Sequence, residues 1–269
     1  MCRKLALLAT VLTLAGAPAL AAAPAAPAAP AAKPAAAQPA PQRATPEQRA
    51  EAERLDPLGR ATFWAREVDI DPRDADAGVK LARALRALGR NDEAAAAADQ
   101  VLVMAPNNLD ALLESARARV AQGSGFYAID PAERAEALAP RDWRPVTLLA
   151  IALEQSKRDD EALAAHQRAL ALAPDNPAVL SNLGMFYATH GDAARGEPLL
   201  RKAAAEPGAS AQERQNLALV LGLEGKLDEA ERLARQDLPP DQADNNLAYL
   251  KAAETPVRPR SWQGVSAAQ

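Results

Sequence analysis

A chain of 269 residues that is 49% hydrophobic but only 3% aromatic, with a net charge of −4, must build its core from aliphatic side chains, chiefly alanine. Such a core suits closely packed helices better than a sheet, because alanine is the best helix former and strands favour β-branched and aromatic residues. No basic stripe accompanies the acidic balance, so nucleic acid is excluded as an expected partner.

The first element reads as an address. Arg3 and Lys4 precede an apolar stretch from Leu5 to Ala15 that is too short to span a bilayer. Ala19-Leu20-Ala21 offers a small-residue cleavage site, so residues 1–21 read as a signal peptide and the protein is expected to be exported to the periplasm. Cys2, the single cysteine, lies inside that signal, which leaves the expected mature chain without a disulfide, a thiol nucleophile or a thiolate ligand. A lipid-acceptor cysteine is missing after Leu14-Ala15-Gly16, where Ala17 stands. Residues 22–44 are alanine- and proline-rich, and prolines every few residues deny alanine its helix. They read as a disordered tether, extending at most about 3.1 Å per residue where it adopts polyproline II.

A repeat begins beyond the tether. Prolines 72, 106, 140 and 174 stand 34 residues apart. Units starting at Ala75, Leu109, Trp143, Pro177 and Ala211 keep that register. Their eighth places hold Ala82, Ala116, Ala150, Gly184 and Ala218, and their twentieth places Ala94, Ala128, Ala162, Gly196 and Ala230. Each unit is expected to be two antiparallel helices that approach closely at these small residues. The fifteenth place holds Gly89, Gly123, Lys157, Gly191 and Gly225, as suits the left-handed backbone that ends a helix. Asp92-Glu93, Asp160-Glu161 and Asp228-Glu229 open second helices, where carboxylates meet exposed N–H groups. Proline at the thirty-second place stops that helix, since it lacks an N–H and restrains the residue before it.

The ends depart from the pattern. Thr45 to Asp74 reads as a first unit whose opening helix breaks at Asp56-Pro57. After Pro239-Pro240, "DQADNNLAYLKAA" is expected to cap the stack with Leu247 and Leu250, and residues 255–269 to form a flexible tail. In the second unit, Asp130-Pro131 with Glu133 predicts a second helix that starts late. Phe126 and Tyr127 then fall on an irregular segment, either meeting a partner or plugging the gap left by the shortened helix.

Period, small-residue places and closing proline resemble the tetratricopeptide repeat, whose length is 34. The expected fold is all-α: a right-handed superhelical solenoid of tetratricopeptide-type helix pairs, about five to six repeats plus a C-terminal capping helix, over residues 45–254.

Nothing in the residues points to chemistry. His166 and His190 lack metal-ligand spacing, and no phosphate loop, dinucleotide fingerprint or nucleophile elbow occurs. The Asp-Glu pairs recur with the repeat, as structural helix openers would. No enzyme activity, cofactor, metal or small-molecule substrate is expected. A protein partner is expected, as a peptide in the concave groove lined by the first helices. With the second, fifth, ninth and twelfth places facing that groove, the candidates are Arg83, Arg86, Arg117, Thr147, Ile151, Ser181, Met185 and Gln215. The arginines suit an acidic part of the peptide and the remainder an apolar part.

Three segments carry a closer likeness. "RATFWAREVDIDPRDADAGVKLARALRALGR", "APRDWRPVTLLAIALEQSKRDDEALAAHQRALALAPDNPAVLSNLGMFYA" and "RQNLALVLGLEGKLDEAERLARQDLPPDQADNNLAYLKA" resemble the TadD family of the tight-adherence (Flp pilus) secretion system. That resemblance implies a periplasm-facing lipoprotein of the outer membrane that assists assembly or placement of the secretin pore. The partner it implies is the secretin or another pilus component. This chain departs from the family in lacking the lipid-acceptor cysteine, and with it the basis for a lipid anchor. A different reading of the same repeats is a general periplasmic scaffold or holding chaperone for envelope biogenesis.

Overall fold

The structure, a computed structural model, describes residues 42–254. The expected signal peptide, nearly all of the tether and the tail 255–269 lie outside the described residues. Thirteen helices and no strand occur among the described residues. A short opening helix α1 (Pro46–Ala52) precedes α2 (Pro57–Ile70). Five pairs follow: α3 (Ala75–Ala87) with α4 (Asn91–Met104), α5 (Leu109–Ala121) with α6 (Gly125–Leu138), and α7 (Trp143–Gln155) with α8 (Asp159–Leu172). Next come α9 (Pro177–Thr189) with α10 (Ala193–Ala205), α11 (Ala211–Leu223) with α12 (Leu227–Asp237), and a closing α13 (Pro240–Glu254). This is an all-α solenoid of helix pairs.

Each first helix begins at the first place of the 34-residue register, and each second helix at the seventeenth. The starts are set by the residue just before: Asp74, Asn108, Asp142, Asn176 and Ser210 all cap their helices by accepting a backbone N–H. Four of the five turns inside units carry glycine at φ between 72° and 82°. Lys157 adopts φ 60° at the same place, the left-handed region that strains a residue with a side chain.

The small-residue places are where the pairs meet. Ala82, Ala116, Ala150, Ala128 and Ala162 are wholly buried. A Cβ on Gly196 would lie 2.5 Å from the carbonyl oxygen of Gly184, so these two glycines bring α9 and α10 into backbone contact. The seventh place is leucine except at Ser115, whose hydroxyl donates to Asp99 Oδ1 at 2.9 Å, with Arg119 joining the same carboxylate. A hydroxyl there is tolerated because it is paired.

The second helix of the second unit does not start late. α6 runs from Gly125 with Pro131 inside it. Burial of Ala128, Ile129, Ala132 and Ala135 in the seam outweighs the backbone bond that proline removes. Gly125 permits the early start, since a Cβ there would meet the Ala152 carbonyl oxygen at 2.5 Å. Phe126 and Tyr127 therefore lie on a regular helix, 73% and 67% exposed, and plug no gap.

At the other end Glu67, almost fully buried, accepts from the Ala44 amide at 3.0 Å and from Arg49 at 2.7 Å. Arg43 reaches Asp71 at 2.6 Å. The last two residues of the expected tether are thus tied to α2. Lys80 lies over the buried Trp64 ring, 4.5 Å from its centre, which adds a cation–π contact beneath α1. At the C-terminal end Leu247 and Leu250 of α13 are buried against the last pair, as expected of a cap.

Neighbouring first helices pack along the stack, α3 with α5, α5 with α7, α7 with α9, α9 with α11 and α11 with α13, whereas second helices meet through long side chains, as in the ion pairs Arg168–Glu136 at 3.2 Å and Arg201–Glu229 at 2.6 Å. First helices consequently sit on the inner side of the curve. The stack is thinnest between the third and fourth units, where α9 makes the fewest approaches to α7 and α8. Phe186 bridges that joint: it comes from α9 and is buried in the core of the second and third units.

Candidate protein-binding groove

All five first helices contribute to one open cavity of about 390 Å³ on the inner side of the stack. Arg86 comes from α3, Arg117 and Val120 from α5, Leu148 and Ile151 from α7, Ser181 and Asn182 from α9, and Gln212 and Asn216 from α11. The cavity is polar and cationic at its α3–α5 end, apolar in the middle and amide-rich at its α9–α11 end.

The face that lines it keeps the expected second, ninth and twelfth places, with the sixth largely standing where the fifth was expected. The second, sixth, ninth and twelfth or thirteenth places point into the cavity, joined by Glu213 at a third place, and of the fifth-place residues only Ser181 lines it. Val79, Leu113, Thr147 and Ser181, at the fifth place, are all buried against neighbouring helices. Thr147 does not line the cavity; its hydroxyl is buried and finds no hydrogen-bond partner in the structure. Gln215 turns away as well, its Nε2 lying 3.4 Å from Asp237 Oδ2 beside a second cavity under α13. Met185 packs into the core between α9, α10 and α11. Arg86, Arg117, Ile151 and Ser181 do line the groove, and Arg83 flanks it. Ser181 is itself nearly buried and accepts from Asn216 Nδ2 at 2.9 Å, a cross-link between adjacent first helices.

The three arginines are not free cations. Glu114, at the sixth place of α5 and only 1% exposed, collects them: Arg83 Nε at 3.3 Å, Arg86 Nε at 3.0 Å and Arg117 Nη1 at 2.7 Å. Burial pushes the Glu114 carboxyl up, but Arg86 and Arg117 outweigh it and hold the group below its ordinary value. Sequence reasoning missed Glu114. The available signal was an acid three residues before Arg117 whose other partners, Arg83 and Arg86, stand one unit earlier on the adjoining helix.

The remaining polar groups read as structure. Glu93 and Glu161 pair with Arg90 and Arg158 three residues before them, at 2.5 Å and 2.6 Å, as acidic residues of a helix start do. The two histidines flank Phe186: the buried His166 ring is 5.3 Å from it and the His190 ring stacks at 4.1 Å. His166 Nε2 lies 3.7 Å from Glu154 Oε2, and His190 Nδ1 lies 2.7 Å from the Phe186 carbonyl oxygen. Among the described residues no three His, Cys, Asp or Glu side chains are grouped to hold a metal ion, and no helix is long and apolar enough to cross a membrane.

Residues 79–112 and 147–178 match the family model described as tetratricopeptide repeat. No curated protein sequence matches the chain. Among solved structures it is similar to TTC0263, a thermophilic TPR protein in Thermus thermophilus, with 23% identity and a TM-score of 0.60 over 66% of this chain and 99% of that one. A tetratricopeptide repeat protein from Parabacteroides merdae is 13% identical, with a TM-score of 0.65 over 77% of this chain and 86% of that one. MamA from Desulfovibrio magneticus is 21% identical, with a TM-score of 0.52 over 58% of this chain and 89% of that one. At these identities the likeness concerns fold, and the fold is that of tetratricopeptide-type helix pairs.

Proposed function

We propose that the chain is a non-enzymatic scaffold that holds an extended segment of a partner protein against its first helices. It serves, in this reading, as a periplasmic assembly factor for the tight-adherence (Flp pilus) secretion machine, acting on the secretin or another pilus component. The observation that carries the scaffold reading is the single cavity to which five successive first helices contribute. A surface built by repetition of one unit fits a long chain better than a small molecule. The pilus assignment is supported by the three segments that resemble the TadD family, and export by Arg3, Lys4 and the apolar stretch after them.

The test is affinity capture by the full-length tagged protein from envelope extract, beside a variant Ala178→Trp, which puts a bulky ring where a small α9 side chain lines the cavity, and an extract from a secretin deletion. Retention of the secretin or a second pilus component by the unaltered protein alone is the expected outcome. Equal retention of pilus components by the filled variant would overturn the groove. A broad set of envelope proteins with no pilus component would instead favour the general scaffold or holding chaperone.

A further inference from the structure

We infer that the arginine cluster around Glu114 is a carboxylate subsite of the groove, which seats an aspartate or glutamate side chain of the partner's extended segment. The inference rests on reading the groove as the protein-binding face.

Three guanidinium groups share one carboxylate. Each guanidinium offers five N–H donors, and Glu114 takes only one contact from each. No other side-chain hydrogen bond holds Arg83, Arg86 or Arg117 among the described residues. Other arginines on the first helices are matched: Arg144 is taken by Asp142 at 2.5 Å, Arg119 by Asp99 at 2.6 Å and Arg214 by Asp237 at 2.5 Å. Positive charge is therefore in surplus where Arg86 and Arg117 enter the cavity. The Asp142 carboxylate, already engaged by Arg144, reaches Arg117 only through its field.

Glu114 is too deeply buried to be the ligand's own contact. Its action is to anchor three long side chains before a partner arrives, which lowers the ordering cost of binding. A planar guanidinium presents parallel N–H groups that match a carboxylate. The far end of the groove offers Ser181, Asn182, Gln212 and Asn216, uncharged groups suited to a peptide backbone. Glu213, also at that end, is held by the Ser210 amide at 2.8 Å and would repel a second acid.

Spacing adds a rule. Adjacent first helices stand about 9 Å apart, and an extended chain advances about 3.3 Å per residue. An acid seated between Arg86 and Arg117 lies about one and a half helix spacings from Ile151, so it places a residue about four positions along, on the same face of the extended chain, against Ile151. The expected segment has an acidic residue, an apolar residue about four positions along, and uncharged residues beyond.

Fluorescence anisotropy with a labelled peptide of about twelve residues, blocked at both ends and carrying one glutamate and a leucine about four positions away, tests this against its glutamine counterpart. The glutamate peptide should bind the full-length protein about tenfold more tightly at low ionic strength. Arg86→Gln with Arg117→Gln should abolish the preference while the melting curve stays cooperative. Equal affinity for the two peptides, or no binding of either, overturns the subsite. If both bind equally and Ala178→Trp abolishes both, the groove stands and the subsite falls. If charge preference persists undiminished in Ala178→Trp, the cluster acts outside the groove and the groove reading falls. A third peptide, neutral but with a free C-terminal carboxylate, overturns the side-chain assignment if it alone shows the preference.

Discussion

Glu114 Oε2 accepts from Arg86 Nε across 3.0 Å, and so a buried carboxylate on α5 pins a groove side chain of α3. The folded-state carboxyl is held below its ordinary value of 4.5, and the unfolded chain releases it to that value. The contribution is thus fully present above pH 4.5 and is lost as pH falls through the folded value. Asp74, Asp142 and Glu197 are shifted in the same direction. Thermal melts should be steady near neutrality and fall in acid. Glu114→Gln should cost about 1–2 kcal/mol near neutrality and flatten part of the acid limb. A variant melt indistinguishable from wild type at every pH would mean the cluster stabilises nothing.

Ala162 is fully buried at the twentieth place, in the seam between α7 and α8. Ala162→Arg should cost about 3–5 kcal/mol, by overpacking and by burying an unpaired charge. Circular dichroism melts would read this directly, and an unchanged midpoint would remove Ala162 from the seam.

Lys157 holds φ 60° where the equivalent turns use glycine. Lys157→Gly should relieve the strain and raise stability by up to about 1 kcal/mol. Denaturant titration with an unchanged slope is the check, and a loss of stability would show that the lysine side chain contributes more than its backbone costs.

Phe186, 4% exposed, fills the core across the thinnest joint of the stack. Phe186→Ala should cost about 3–5 kcal/mol and separate unfolding of the two flanking halves, because repeat arrays are coupled mainly through neighbouring units. Hydrogen exchange would then show α10–α12 opening before α4–α7. A single cooperative transition in the variant would place the coupling elsewhere.

Helix positions were legible in the sequence because small, glycine, proline and acidic places recur together. Ala128 and Ala162 can only be seam residues if every unit repeats the same close approach. The second, ninth and twelfth places of the groove stripe were legible, but the choice between the fifth and the sixth was not. Successive residues are turned by about 100°, so a stripe through the fifth place and one through the sixth are both regular helical faces. Thr147 and Leu148 exchange roles between them, and only packing against α5 and α9 decides. Pro131 misled for a related reason: its local stop signal is overridden by the burial of Ala128, Ala132 and Ala135. Glu114 escaped notice because two of its three partners belong to the preceding unit.

Photo-crosslinking from benzoylphenylalanine placed at Ile151, inside the groove, or at the exposed Met104 at the end of a second helix, tests the central claim most directly. The account predicts a covalent adduct with the partner protein from position 151 and none from position 104. An adduct from position 104 with none from position 151 would contradict it.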